Sequence, residues 1–333
     1  MASTIIDVAR LANTSKSTVS RYINGKPVKK ETEEALKKAI KELNFHPNMN
    51  ARRLVLNRTQ VIGIVVDDIS NNFYSAILKG ITDVSKKNDF DCVFYTAGQT
   101  QKNEVDFIKL LYEEQVDGLI FLNFSKRSKE MVEEIKKSPF AIVLIGDDAE
   151  VNDISSFDVD NFSGVSQAVR YLHRIGHRKI AYIDGPATVG ATLGRRKGFE
   201  GTLDELGIGL NTALIIPSDW SNEGGYNAMK QLLSVGDFTA VVASNDETAL
   251  GAIGAAHEQG YSIPKDFSIV GYDDIEISKW IFPSLTTIKQ PFLEIGRNAA
   301  INLFEQLKES DHAERSRKLL NPQLVIRNSC LKL

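Results

Sequence analysis

Residues 4–25 read TIIDVARLANTSKSTVSRYING, and the spacing of their apolar positions decides how the chain begins. Ile5, Val8, Ala9 and Ala12 recur at helical intervals and share one face. Thr4 or Ser3 stands where an N-cap accepts from free backbone amides, and Asp7 puts negative charge in the first turn. ANTS breaks the pattern, and Asn13 is one of the few non-glycine residues that tolerates a left-handed turn. Ser15 caps a second helix in which Val19 and Ile23, four apart, are the expected buried pair; Gly25 ends it. Because Ala9 and Ala12 are small, the two helices can approach closely at a steep angle. Helix, short turn and helix is the unit whose second helix enters a DNA major groove. That helix has little to bury, and Lys16, Ser17, Thr18, Ser20 and Arg21 are hydrogen-bonding groups held at helical spacing.

Working outward, KETEEALKKAIKELNF, residues 30–45, is expected to be a third helix that packs Ala35, Leu36, Ala39, Ile40 and Leu43 on the first two, with His46-Pro47 stopping it. A short basic segment follows, HPNMNARRLVLNRT. The net charge of −3 hides an asymmetry: residues 1–60 hold 12 Lys+Arg against 5 Asp+Glu, and the other 273 hold 28 against 38. A basic head on an acidic body implies that the head meets a polyanion. A protein-binding helix bundle is the competing use of such a head, and the charge excess and motif order speak against it.

From residue 61 the periodicity changes. Apolar runs VIGIVV, DCVFYTA, VDGLIFL, AIVLIG, KIAYIDG, TAVVAS and FSIVGY alternate with amphipathic stretches such as FYSAILKGITDVSKKN and SGVSQAVRYLHRIG. This reads as parallel sheet covered on both faces, with too many strands for one sheet, so two doubly wound lobes are expected. The stretch near residues 147–161, DDAEVNDISSFDVDN, reads as an exposed crossing between them. Ligands bind outside the carboxyl ends of such strands, where the loops carry Asp, Asn, Arg and aromatic groups suited to hydroxyls and sugar faces. No phosphate loop, GxGxxG, GxSxG or HExxH occurs, and the five histidines lie in helical or turn contexts without a nearby partner. A binding cleft without catalytic apparatus, cofactor or metal follows. Two distant cysteines, no apolar run of about 18 residues and no export-like N-terminus lead us to expect a cytoplasmic protein with no membrane contact.

The head, TIIDVARLANTSKSTVSRYING…ELNFHPNMNARRL, resembles the N-terminus of the LacI/GalR family of bacterial regulators. Farther on, GHRKIAYIDGP, RRKGFEG, ASNDETALG and VGYDDIEIS…PSLTTIKQP resemble the family's periplasmic-binding-protein-like core, so the likeness runs over essentially the whole chain. Two departures stand out: Asn13-Thr14 replaces the usual Gly-Val in the turn, and Tyr22 sits where a small aliphatic residue is common. The resemblance implies a helix-turn-helix head at 1–46 and a hinge helix and linker at 47–60. It divides the core into lobes of 61–160 plus about 290–320 and 161–289 plus about 321–333. It puts Lys16, Ser17 and Arg21 on base-reading positions, with Thr4, Ser15, Thr18, Ser20 and Asn24 among the base or phosphate contacts. Asn50, Ala51, Arg52, Arg53 and Leu54 fall on the hinge, where Leu54 is the leucine that wedges into the minor groove. Phe73, Tyr74, Asp147, Arg195, Trp220, Asn245 and Asp273 match effector-contact sites. Several have plainer uses: Phe73 and Tyr74 beginning a helix and packed on the lobe, Asn245 capping a helix, Trp220 in a core, Arg195 and Asp273 as an interlobe ion pair.

The function expected from all this is a repressor that binds a pseudo-palindromic operator in double-stranded DNA as a homodimer. It is controlled by a small effector, a sugar or sugar derivative, in the interlobe cleft. A phosphoprotein co-regulator acting on the acidic body is a further partner that the resemblance leaves open.

Overall fold

The structure, a computed structural model, describes residues 3–46, 58–66, 74–96, 105–122, 129–146, 154–308 and 316–333. The chain divides into two compact units, Met1–Gln60 and Val61–Leu333.

In the first unit, α1 (Ile5–Leu11) opens on a capping box. The Thr4 hydroxyl accepts from the Asp7 amide, while the Asp7 carboxylate accepts from the Thr4 amide at 3.0 Å and its hydroxyl at 2.6 Å. Those bonds hold the Asp7 carboxyl below its ordinary pKa. Asn13 takes the left-handed turn at φ 47°, and Ser15 caps α2 (Lys16–Ile23) by accepting from the Thr18 amide at 3.1 Å. Gly25, at φ 69°, carries the chain away. The third helix, α3 (Lys30–Glu42), ends before His46-Pro47 and not at it. Asn44 turns left-handed at φ 43°, the Phe45 amide returns to the Ile40 carbonyl at 3.0 Å, and the Phe45 ring enters the core. Val8, Val19 and Leu36 are fully buried at its centre, with Ala9, Ala12, Ala39 and Phe45 around them; Ile23 is only half-buried.

The second unit holds two six-stranded sheets. In the first, β1 (Val61–Val66), β2 (Asp91–Thr96), β3 (Gly118–Leu122), β4 (Ala141–Ile145), β5 (Ser155–Val159) and β11 (Arg317–Leu320) run parallel in the order β11-β5-β4-β3-β1-β2. Helices α4 (Ser75–Lys87) and α11 (Phe292–Lys308) cover one face; α5 (Val105–Tyr112) and α6 (Lys129–Lys137) cover the other. Every residue of β1, β3 and β4 is buried, which is why these strands read as unbroken apolar runs.

The second sheet comprises β6 (Ile180–Ile183), β7 (Ile215–Ile216), β8 (Ala240–Ala243), β9 (Ser268–Asp273), β10 (Thr286–Lys289) and β12 (Gln323–Val325), in the order β12-β10-β9-β8-β6-β7. All its pairings are parallel except β12 against β10. Helices α7 (Asn161–Arg174) and α8 (Gly190–Glu205) lie on one face, α9 (Asn222–Val235) and α10 (Asp246–Glu258) on the other.

The chain passes between the sheets three times: after β5, between β10 and α11, and between β11 and β12. Residues 155–159 are therefore a buried strand, not part of an exposed crossing. Ser155 and Asp158 hid it by looking polar. The Ser155 hydroxyl accepts from the Gln306 amide and the Ser316 backbone, each at 3.2 Å, and Asp158 accepts from the Val159 amide at 2.7 Å. His177 is the other correction: it is 1 % exposed and bonded to Thr239, Ser268 and the Leu331 carbonyl at 2.9–3.1 Å, and burial lowers its pKa. Its partners are 62 to 154 residues away, and no acid completes a relay among them. Among the described residues no helix is long and apolar enough to cross a membrane, and no group of His, Cys, Asp and Glu could hold a metal.

Candidate functional site

The head presents α2 with Val19 inward and Lys16, Ser17 and Arg21 exposed. Lys26, Lys29 and Lys30, also exposed, extend the basic surface past the end of the helix. Ser15 is committed to its cap and shares hydrogen bonds with the Ser17 and Thr18 hydroxyls at 2.7 and 2.8 Å. The Arg21 guanidinium reaches the Pro27 carbonyl at 3.3 Å, an exposed bond that a better acceptor can replace. Asn24 donates to the Ser20 hydroxyl at 3.4 Å, while its own carbonyl oxygen is buried without a partner among the described residues. Thr4 is spent on capping α1. Every residue expected to meet DNA thus lies on α1, α2 or their caps, except the hinge residues Asn50, Ala51, Arg52, Arg53 and Leu54, which lie outside the described residues, as do Phe73 and Asp147.

At the carboxyl ends of the second sheet, four of the expected effector residues come together. Arg195 in α8 and Asp273 at the end of β9 are 5 % and 6 % exposed, with Nη2 and Oδ1 3.8 Å apart. Arg195 also donates from Nε to Asn161 Oδ1 at 2.9 Å and from Nη1 to the Ser244 carbonyl at 2.5 Å. Its guanidinium lies 3.9 Å from the Tyr272 ring centroid and 5.1 Å from that of Trp220, so aromatic contact compensates part of its lost hydration. Asp273 accepts from Gln290 Nε2 at 2.5 Å. Burial pushes its pKa up to about 6, against the pull of Arg195 and Gln290.

Trp220 and Asp273 both hold positive φ, 67° and 123°. Strain of this kind on non-glycine residues persists only where the surroundings enforce it, and it concentrates at binding sites. The enforcement on Trp220 is visible: Asn245 Nδ2 donates to the Trp220 carbonyl at 3.0 Å, while Asn245 Oδ1 caps α10 by accepting from the Thr248 amide at 2.9 Å. Both ends of the Asn245 amide are therefore used within the protein. Gly185 gives the indole its space, since a Cβ there would fall 2.1 Å from Trp220 Nε1. Tyr74 stands apart from this group, 6 % exposed in the apolar core of the first sheet.

Beside Asp273 lies a second acid, Asp246. It accepts from Thr287 Oγ1 at 2.5 Å, Ser278 Oγ at 2.7 Å and the Ile275 amide at 3.0 Å. Burial, reinforced by the Asp273 charge, pushes its pKa up to about 7. Sequence reasoning missed Asn161, Thr192, Tyr272, Ser244 and Gln290 as parts of this site. Asn161, Tyr272, Ser244 and Gln290 each sit within two residues of a strand's carboxyl end, so the available signal was the strand end itself; Thr192 lies farther on, in the first turn of α8.

Comparison with known proteins now decides the family. Residues 4–48 match the family described as bacterial regulatory proteins, lacI family, and residues 169–330 match the periplasmic binding protein-like domain. Catabolite control protein A of Priestia megaterium is 34 % identical over 296 residues, 88 % of this chain and 89 % of that protein. This chain belongs to the LacI family. The HTH-type transcriptional repressor PurR of Vibrio vulnificus is 33 % identical over 333 residues, covering 99 % of each. A solved Lac repressor dimer bound to operator and the anti-inducer ONPF superposes with a TM-score of 0.89 at 28 % identity, covering 99 % of this chain and 100 % of that one. The LacI-family member described here is a transcriptional repressor with a helix-turn-helix DNA-binding domain and an effector-binding core of two mostly parallel sheets; it is not an enzyme.

Proposed function

We propose that this LacI-family repressor binds a pseudo-palindromic operator as a homodimer and is controlled by a small effector, a sugar or sugar derivative, held between the two lobes of its core. One head covers a half-site, and two heads related by two-fold symmetry read both halves. In this reading Lys16, Ser17 and Arg21 meet base edges. Thr4, Ser15, Thr18, Ser20 and Asn24 position α2 on the backbone, and Asn50, Ala51, Arg52, Arg53 and Leu54 form the minor-groove hinge. Arg195, Trp220, Asn245 and Asp273 form the second lobe's share of the effector site, Asn245 by holding Trp220. Phe73, Tyr74 and Asp147 belong to the first lobe's share, with Tyr74 acting from within its core. The work is done in the cytoplasm, where the chromosome is.

The observation that carries this reading is the exposed basic and hydroxyl-bearing face of α2, on a helix held to its unit chiefly through one fully buried residue, Val19. Selection from random duplexes with the full-length chain tests it. We expect a two-fold symmetric consensus. Arg21→Ala is expected to cost about 1–3 kcal/mol at one base pair of each half-site while leaving random-sequence affinity nearly unchanged. An equal loss on selected and random duplexes would remove Arg21 from the reading role.

A further inference from the structure

Three buried polar atoms at the carboxyl ends of the second sheet, Thr192 Oγ1, Ser244 Oγ and Trp220 Nε1, have no hydrogen-bond partner among the described residues, and Ser218 Oγ and Thr248 Oγ1, nearby in sequence, have none either. Thr192 is 2 % and Ser244 0 % exposed. Two of the three converge, because the point where a Gly185 Cβ would stand is 2.1 Å from Trp220 Nε1 and 2.8 Å from Thr192 Oγ1. Buried polar groups left unpaired are uncommon in native proteins and call for a partner. All three are uncharged: two hydroxyls that can give or take a hydrogen bond and one indole that can only give.

Among the described residues, the buried charged groups around them are already spoken for. Arg195 is paired with Asp273, donates to Asn161 and to the Ser244 carbonyl, and lies against Tyr272 and Trp220. Arg196 is held by Asp184 at 2.8 Å and by Glu200, and Arg327 by Asp274. Asp246 is one further buried acid, satisfied by two hydroxyls and an amide. Lys289, in register with Asp273 across β9 and β10, is exposed.

We infer that this site selects its effector by charge: it takes an uncharged, multiply hydroxylated ligand and rejects the phosphorylated or carboxylated form of the same compound. The inference rests on reading these strand ends as the effector site. A phosphate is held most strongly by donors with positive charge to spare. Taking Arg195 for that purpose strands Asp273 in a buried position and breaks bonds to Asn161 and Ser244, and the arriving anion then faces Asp273 and Asp246 as like charges. Hydroxyls carry no such penalty. They accept from the indole N–H, exchange hydrogen bonds with Thr192 and Ser244, and leave the Arg195–Asp273 pair closed.

The test uses full-length protein and thermal-shift and calorimetric titration. Two probes are applied: a bacterial small-molecule extract divided by anion exchange into flow-through and retained fractions, and the pairs glucose with glucose 6-phosphate and ribose with ribose 5-phosphate. We expect stabilisation from the flow-through fraction. In any pair that binds, the neutral member should be at least tenfold tighter; Thr192→Val should weaken it about tenfold, and Lys289→Met should not change it. Stabilisation confined to the retained fraction and abolished by Lys289→Met overturns the charge rule while sparing the site. Stabilisation that survives both Arg195→Ala and Asp273→Asn, or silence from both fractions, overturns the site reading and the rule with it.

Discussion

Asp246 keeps its place through three donors on two different elements. Thr287 belongs to β10, and Ile275 and Ser278 to the segment after β9. Its pKa, pushed up to about 7 by burial and by Asp273, makes it a pH-dependent strut. A carboxyl whose folded pKa lies above its unfolded value binds more protons when folded, so its contribution is complete below about pH 4 and is lost as pH rises to about 7. Asp273, raised to about 6, acts in the same direction over a narrower window. His177, lowered by burial, acts in the opposite one, losing stability as pH falls below its unfolded value. Comparing wild type with Asp246→Asn cancels the His177 contribution. The variant should gain stability relative to wild type as pH rises from about 4 to 7, by at most about 1.4 kcal/mol per pH unit, and no further above 7. Urea unfolding at half-unit pH steps measures this; a difference that is flat between pH 5 and 7 would show that Asp246 is ionised throughout. Arg195→Ala is a second residue-scale prediction. Operator affinity should stay within a few-fold, whereas the effector-dependent change in affinity should disappear in the same anisotropy titration.

Elements explain both what was legible in advance and what was not. The head was readable because α1 and α2 have periodic apolar faces and local caps, so Thr4, Ser15, Asn13 and Gly25 are fixed by neighbours within four residues. The end of α3 was misplaced because a left-handed Asn44 stopped the helix before the proline signal. The strands buried on both faces were readable as apolar runs, but β5 was not. Two of its five residues are serines and one an aspartate; Ser155 is bonded to the distant Gln306 and Ser316, and Asp158 to the neighbouring Val159 amide. Losing β5 meant losing Asn161, which follows it and holds Arg195. The Arg195–Asp273 pair, which the sequence offers as an interlobe ion pair, spans 78 positions and lies within the second lobe, where the topology brings α8 to the carboxyl end of β9, an arrangement no local pattern encodes. At this scale Leu36→Ala, removing a fully buried side chain shared by all three head helices, should cost about 2–5 kcal/mol. Circular dichroism melting should show the head unfolding first, and operator binding should fail at temperatures where the core remains folded.

Across the whole core, the three passages between the sheets are where a ligand at the proposed site would be felt, and two of them touch its residues: Asn161, after β5, accepts from Arg195, and the passage after β10 reaches Asp273. Gln290 follows β10 on the way to α11, is 5 % exposed, and donates to the Asp273 carboxylate at 2.5 Å. In the proposed reading, a ligand hydroxyl that bonds Asp273 would compete with Gln290 for the same oxygens, so occupancy would act on a segment joining the lobes. Gln290→Met keeps the bulk of the side chain and removes the donor. Effector affinity should change by no more than a few-fold, since Arg195, Thr192 and Trp220 are untouched. The ratio of operator affinities with and without effector, set by a coupling of about 1–3 kcal/mol in the wild type, should move toward one. Linkage supplies an internal check: operator must change effector affinity by the same factor as effector changes operator affinity, so calorimetry with and without operator has to reproduce the anisotropy ratio. If Gln290→Met retains the full wild-type ratio in both measurements, the passage after β10 does not carry the signal, and the other two passages between the lobes become the route to mutate next.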